Sequence, residues 1–297
     1  MSSEPRPLIG ILWMIATGAC FIAVTAVVKH SAQDLPAAQA AFLRYLLGLV
    51  FLIPAIGAIR TARIDRRDLG LFGLRGVCHS LGVALWFYAM TQIPIAEVTA
   101  MNYLNPVYVT LGAALLLGER LAARRLAAVF AALVGVVVIL RPGFREIETG
   151  HLAMLGTALL FAGSYLCAKP LSDRHPAALV VAVLSLTVTL GLAPMAWAVW
   201  TPPALADLGW MFLVACFATT GHYTMTRAFA AAPIAVTQPV TFLQMVWAVL
   251  LGWALFDEPP DAFVILGAGI IIASVSFIAW REARLRRITT PPHVATK

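Results

Sequence analysis

The sequence predicts an all-α integral membrane protein: ten transmembrane helices arranged as two inverted five-helix repeats, with the N- and C-termini cytoplasmic. Three observations lead there. Apolar residues are 61% of the 297 and charged residues only 12%, against about 45–50% and about 25% in soluble domains, so the chain needs lipid as its solvent. Polar and proline-rich breaks divide it into ten apolar runs. The two halves of the sequence also align with each other in a nearly gapless register.

The runs cover residues 8–28, 37–59, 70–90, 95–117, 124–140, 152–170, 177–199, 208–228, 235–255 and 262–280. Each approaches the roughly 20 residues that span a hydrocarbon core. The first is too long for the core of a secretion signal. Several breaks are short, such as Gln92-Ile93-Pro94 and Ala231-Ala232-Pro233. The alternating ten-residue segments of a membrane β-barrel are missing.

Basic residues set the direction. With the N-terminus inside, the cytoplasmic side collects Arg6, the Arg60–Arg67 group, Arg120, Arg124, Arg125, Lys169, Arg174, the Arg281–Arg287 group and Lys297. The outer side receives only Lys29, Arg141 and Arg145, and its last loop is acidic (Asp257, Glu258, Asp261). This is the positive-inside bias. Trp197, Trp200, Trp210, Trp253 and Trp280 fall near span ends and suit interfacial belts. The net charge of +7 is therefore orienting charge. No basic run is interleaved with stacking aromatics, which excludes a nucleic-acid partner.

The internal match is nearly gapless. At a shift of 139 residues Gly82 meets Gly221, Pro94-Ile95-Ala96 meets Pro233-Ile234-Ala235, and Glu119 meets Glu258. At a shift of 140, Phe21 meets Phe161, Lys29 meets Lys169 and Pro54 meets Pro194. The first repeat is residues 1–145, the second 146–282, and 283–297 is a basic cytoplasmic tail. Five helices is an odd number, so the second copy enters the membrane from the opposite side. Inverted repeats of this kind serve alternating access to a site near the midplane.

The P-I-A at the start of each fourth run and the acidic residue at its end (Leu117-Gly118-Glu119, Phe256-Asp257-Glu258) resemble the drug/metabolite transporter superfamily, and within it the EamA-type members. The resemblance spans roughly residues 8–282. It implies a multi-pass transporter of the bacterial inner (cytoplasmic) membrane with a small-molecule substrate. The branch that the chain is most similar to implies export of amino acids, aromatic and other neutral ones included. A nucleoside-like, flavin or drug-like solute is the alternative, and a non-transporting scaffold or sensor a more distant one. A monomer would suffice.

Polar side chains inside spans mark candidate pathway residues. His79 and Trp86 share a face of the third run with Arg75 and Gly82. Asn102 and Tyr103 lie in the fourth, Tyr165 in the sixth, His222 and Tyr223 in the eighth, Gln244 and Trp247 in the ninth. Tyr and Trp offer apolar walls with polar tips, while the amides and imidazoles bond a solute's polar edge. Pro239, inside the ninth run, is the candidate hinge. Arg44, Arg75 and Arg227 lie nearer span ends, where snorkelling or ion pairing is expected. The four cysteines read as small buried apolar residues.

Every acidic residue falls outside mid-membrane, with Glu97 nearest to it. A proton-coupled cation exporter relies on a buried carboxylate, so an uncharged or zwitterionic solute moving by facilitated diffusion is expected. Metal-ligand spacing, a phosphate-binding loop and a nucleophile motif are all absent from the sequence. The chain is expected to be neither an enzyme nor a holder of a cofactor or metal.

Overall fold

The computed structural model describes residues 7–31, 35–55, 57, 62, 64–117, 123–231 and 240–289. Eleven α-helices account for most of them. They are α1 (Pro7–Ser31), α2 (Ala37–Gly48, continued by a 3-10 turn over Leu49–Ala55), α3 (Arg66–Gln92), α4 (Ile95–Asn102), α5 (Asn105–Leu117) and α6 (Ala123–Leu140). The second half holds α7 (Thr149–Arg174), α8 (Ala177–Ala198), α9 (Leu205–Ala231), α10 (Leu243–Phe256) and α11 (Ala262–Thr289). No strand occurs among the described residues.

Local chemistry sets the helix starts. Pro36, Pro94 and Pro176 stand at the N-caps of α2, α4 and α8 with φ of −54°, −57° and −57°, because proline's fixed φ suits a helix entrance and its missing N–H is no loss there. Asp65 caps α3 by accepting from the Asp68 N–H at 2.7 Å. Glu148 and His151 close a reciprocal cap on α7. Asp257 ends α10 in the left-handed region at φ 53°.

Five helices are long and apolar enough to cross a bilayer by length and composition, α1, α3, α7, α8 and α11 among the described residues. Their outward faces carry large apolar side chains: Leu12 is 65% exposed, Leu69 64%, Leu190 73% and Trp197 81%. Such a surface is stable only against lipid. The packed interior is built on Met14, Phe72, Phe87, Met90, Met101, Leu104 and Met154, all nearly or fully buried.

The closest helix pairings are α3 with α7, α1 with α9, and α6 with α11. In the last, Gly135 and Gly267 put backbone against backbone; a Cβ on Gly267 would lie 2.5 Å from the Gly135 oxygen. Small residues are what let membrane helices approach this closely.

The fourth run, expected as one helix over 95–117, is broken at Tyr103–Leu104 into α4 and α5. Pro106 is the cause. It offers no N–H to the Asn102 carbonyl and disfavours the helical region at Asn105. Tight turns from Tyr103 N–H to the Ala100 carbonyl (3.2 Å) and Leu104 N–H to the Met101 carbonyl (3.1 Å) keep the backbone bonded through the break. The ninth run has its own break at Phe242, the position 139 residues on from Tyr103. The two breaks touch: the Tyr103 and Phe242 rings meet edge to face at 5.4 Å. The second run is also shorter as an α-helix than expected, passing into the 3-10 turn at Leu49.

Candidate functional site

Seven helices converge on a cavity of about 240 Å³. Phe21 and Thr25 come from α1, Arg44 and Tyr45 from α2, His79, Val83 and Trp86 from α3, and Thr99 and Asn102 from α4. Phe161 and Tyr165 come from α7, Ala218, His222 and Met225 from α9, and Gln244 from α10. The α3 lining falls at i, i+4 and i+7, one helical face, and α9 repeats that spacing 139 residues later.

Aromatic rings form the wall. Phe161 stacks on His79 at 4.8 Å and meets Trp86 edge-on at 6.4 Å. Tyr45 meets His79 edge-on at 6.5 Å, and on the other side Phe21 meets His222 at 5.2 Å. Two glycines make room for these rings. A Cβ on Gly82 would lie 2.7 Å from the Phe161 ring, and one on Gly221 would lie 3.4 Å from Phe21. Gly82 and Gly221 are counterparts in the two halves, as are Phe161 and Phe21.

The polar groups are held from behind. His79 Nδ1 pairs with the Ser164 hydroxyl at 3.2 Å. Asn102 Oδ1 accepts from Asn105 Nδ2 at 2.8 Å. Gln244 lies against Gly18, where a Cβ would come within 3.2 Å of its Cγ. The Arg44 guanidinium lies over the Tyr45 ring, 4.1 Å from its centroid. No carboxylate is present among the described lining residues.

Of the nine lining residues expected from sequence, the structure brings His79, Trp86, Asn102, Tyr165, His222 and Gln244 together. The other three lie outside the lining. Tyr103 sits in the helix break and donates its hydroxyl to the Thr241 carbonyl at 3.4 Å. Tyr223 is 55% exposed beside Arg227, whose Nη1 donates to its hydroxyl at 3.2 Å. Trp247 is 44% exposed. Pro239, the expected hinge, lies outside the described residues.

Two of the three arginines, for which snorkelling or ion pairing was expected, take other places. Arg75 is buried and donates from Nη1 to the Val180 carbonyl at 3.2 Å, fastening α3 to α8. Arg44 joins the cavity lining. Phe21 and Phe161, matched across the repeat, are not marked by sequence as lining residues, since an apolar ring in an apolar run carries no contrast. The signal that finds them is their pairing with Gly82 and Gly221 in both halves.

The sequence profile of the EamA-like transporter family matches residues 8–141 and again residues 148–280. The chain belongs to the EamA-like transporter family. It is a multi-pass membrane transporter of this type and not an enzyme. It is 31% identical over 291 residues to a riboflavin transporter of Rhizobium johnstonii, covering 97% of this chain and 96% of the relative. A pseudopaline exporter of Pseudomonas aeruginosa is 27% identical over 270 residues, 89% of this chain and 94% of that protein. An S-adenosylmethionine uptake transporter of Rickettsia prowazekii is 24% identical over 287 residues, 93% and 94% of the two chains. A solved crystal structure shares the fold with a TM-score of 0.59 at 20% identity, covering 91% of this chain and 97% of its own.

In this EamA-type chain the charged residues at the Pro94 end form a second cluster. Arg145 grips Glu97 with two bonds, Nη1 to Oε1 at 2.9 Å and Nη2 to Oε2 at 2.7 Å. His151 accepts the Glu148 N–H on Nδ1 at 3.0 Å, so its proton sits on Nε2 and is donated to Glu97. The Glu97 carboxylate holds the Arg145 guanidinium above its ordinary pKa. Glu258 accepts from the Ile95 N–H at 2.9 Å and pairs with Lys29, and Arg141 pairs with Asp261. Lys29, Arg141 and Arg145, the three cations set apart by the charge bias, are thus each matched to an acid. At the far end of the α3–α7 pair, Asp68 accepts from Arg174 and pairs with His175, both at 2.8 Å.

Proposed function

We propose that this EamA-type transporter carries a flat aromatic or heteroaromatic metabolite across the bacterial inner membrane by alternating access around the cavity. The lining carries this reading: Phe21, Tyr45, Trp86, Phe161 and Tyr165 surround a space edged by Asn102, Gln244 and two imidazoles, with no carboxylate among the described lining residues. Rings of this kind stack on a flat solute, and the amides and imidazoles bond its polar edge.

The transport cycle rests on ten spans in two inverted halves, residues 1–145 and 146–282, with both termini cytoplasmic. Support comes from the ten apolar runs, the charge bias, and the paired packing of α1 on α9 and α3 on α7. The touching helix breaks at Tyr103 and Phe242 fit a pseudo-twofold axis passing between them. Without a carboxylate in the lining the usual proton carrier is missing, so flux follows the solute gradient and direction is set by whichever side is richer.

A flavin-type solute is favoured by the likeness to riboflavin transporters. An exported aromatic amino acid is the second reading, favoured by size: the cavity of about 240 Å³ falls below the roughly 300–1,000 Å³ of sites for drug-sized ligands. Liposomes carrying the purified protein, loaded in turn with riboflavin, tryptophan, phenylalanine and alanine, separate these readings. At least one aromatic solute should leave faster than from empty vesicles while alanine does not. No aromatic flux, or equal flux of alanine, refutes the proposal.

A further inference from the structure

We infer that the transported solute carries an anionic group, a carboxylate or a phosphate, and that Arg44 on α2 receives it. The inference rests on the transport reading above and sharpens its substrate class. Arg44 is the one Lys or Arg among the described lining residues, and no Asp or Glu joins it there. Among the described residues its partner is the ring of Tyr45, its neighbour in sequence, at 4.1 Å.

Several other basic side chains are more fully matched. Lys29, Arg141, Arg145 and Arg174 each reach a carboxylate, and buried Arg75 reaches a carbonyl. A permanent cation facing a ring-lined cavity between membrane helices favours a counter-charge, and a single ring contact supplies only a small part of it. The guanidinium's planar fork matches a carboxylate or phosphate with two parallel bonds, and stacking on Tyr45 orients the plane for such a partner.

A second donor stands in the same lining. The Trp86 indole N–H is buried with no acceptor, an omission that a buried polar group rarely shows. The rings of Tyr45, His79, Phe161 and Trp86 run in an unbroken series of contacts, which joins Arg44 to Trp86 along one wall. A flat solute lying on that wall has its acid at Arg44 and a ring acceptor for the Trp86 N–H. A carboxylate seated there leaves the loaded cavity electrically neutral, and a phosphate has most of its charge offset, which eases passage through an occluded state.

Matched solutes that share a ring and differ in charge provide the test. Indole-3-acetate is compared with indole-3-acetamide, and riboflavin 5′-phosphate with riboflavin, by quenching of tryptophan fluorescence in the purified full-length protein and by competition with liposome flux. The anionic member of at least one pair should bind roughly tenfold or more tightly than its neutral mate. Arg44→Gln should erase that preference, with the anionic member losing roughly tenfold more affinity than the neutral one and the melting temperature held. Arg44→Lys, which keeps the charge without the fork, should retain part of it. Equal binding within both pairs in the wild-type protein, or a preference that survives Arg44→Gln, overturns the inference while leaving aromatic transport standing. If no ring compound binds or moves, both fall. Should Arg44→Gln fail to insert, the wild-type comparison of the pairs still decides.

Discussion

Replacing Glu97 by alanine removes the carboxylate that joins the start of α4 to Arg145 in the loop and to His151 in the first turn of α7. The Glu97 side chain is 4% exposed, His151 1% and Arg145 24%. Deleting one partner of a buried ion pair costs about 3–5 kcal/mol because the other charge is stranded. Arg145 keeps about a quarter of its surface open and can rehydrate, so the expected loss is lower, about 2–3 kcal/mol. At about 2–4 °C per kcal/mol for a sizeable chain, melting should fall by roughly 4–12 °C. The protein's eight tryptophans report unfolding in detergent by their own fluorescence. Glu97→Gln keeps an acceptor for Arg145 and His151 and should lose about half as much. A Glu97→Ala protein that melts within about 1 °C of wild type would show that the cluster does not hold the fold. A Glu97→Gln protein that keeps its flux but loses a response to pH gradients would make Glu97 a proton carrier, and would overturn its assignment as a structural ion-pair partner.

Three further outcomes are expected. Gly82→Ala drives the Phe161 ring off its seat, since the new Cβ would stand 2.7 Å away; flux should fall roughly tenfold or more in the liposome assay, while Gly221→Ala, with 3.4 Å to Phe21, should have the milder effect. Gly267→Ala presses on the Gly135 carbonyl, backbone that cannot swing aside, and should reduce stability by about 1–3 kcal/mol in the same melting assay without changing which solutes are carried. With the membrane potential clamped at zero, an imposed pH gradient should leave the steady-state solute ratio unchanged, and accumulation against the solute gradient would refute facilitated diffusion.

The legible parts of the site were those where polarity stands out against an apolar background. His79, Asn102, His222 and Gln244 are costly inside a span, and each faces the cavity. Facing was harder to read than depth. On α9 the lining residues Ala218, His222 and Met225 define one face, and Tyr223, about 100° around the helix from His222, cannot share it. Both were equally conspicuous in the sequence. The facing of Arg44 is not legible in the sequence because α2 is apolar on nearly every side around it (Ala41, Phe42, Leu43, Leu46), so periodicity does not say which way it turns. The break at Tyr103 was foreshadowed by Pro106, but not that Tyr103 would meet its own counterpart there.

The cavity matches between the halves in position and differs in chemistry. His79, Val83 and Trp86 on α3 stand where Ala218, His222 and Met225 stand on α9, and Thr25 stands where Tyr165 does, all of them in the lining. Each half contributes one imidazole, at non-equivalent positions. On the inverted-repeat reading proposed above, equivalent positions keep the same lining in view of both sides of the membrane, as a fixed midplane site requires. A solute without twofold symmetry, such as the flat metabolite proposed above, gives the contacts that recognise it no reason to match. The binding groups are also divided: Arg44, His79, Trp86 and Asn102 belong to the first half, and Phe161, Tyr165, His222 and Gln244 to the second. Parting the halves on either side breaks some of these contacts, which weakens the hold on the solute in both directions. A site gathered on one half would lose no contacts when the halves part and would keep its solute, so the division of these residues favours a carrier over a receptor.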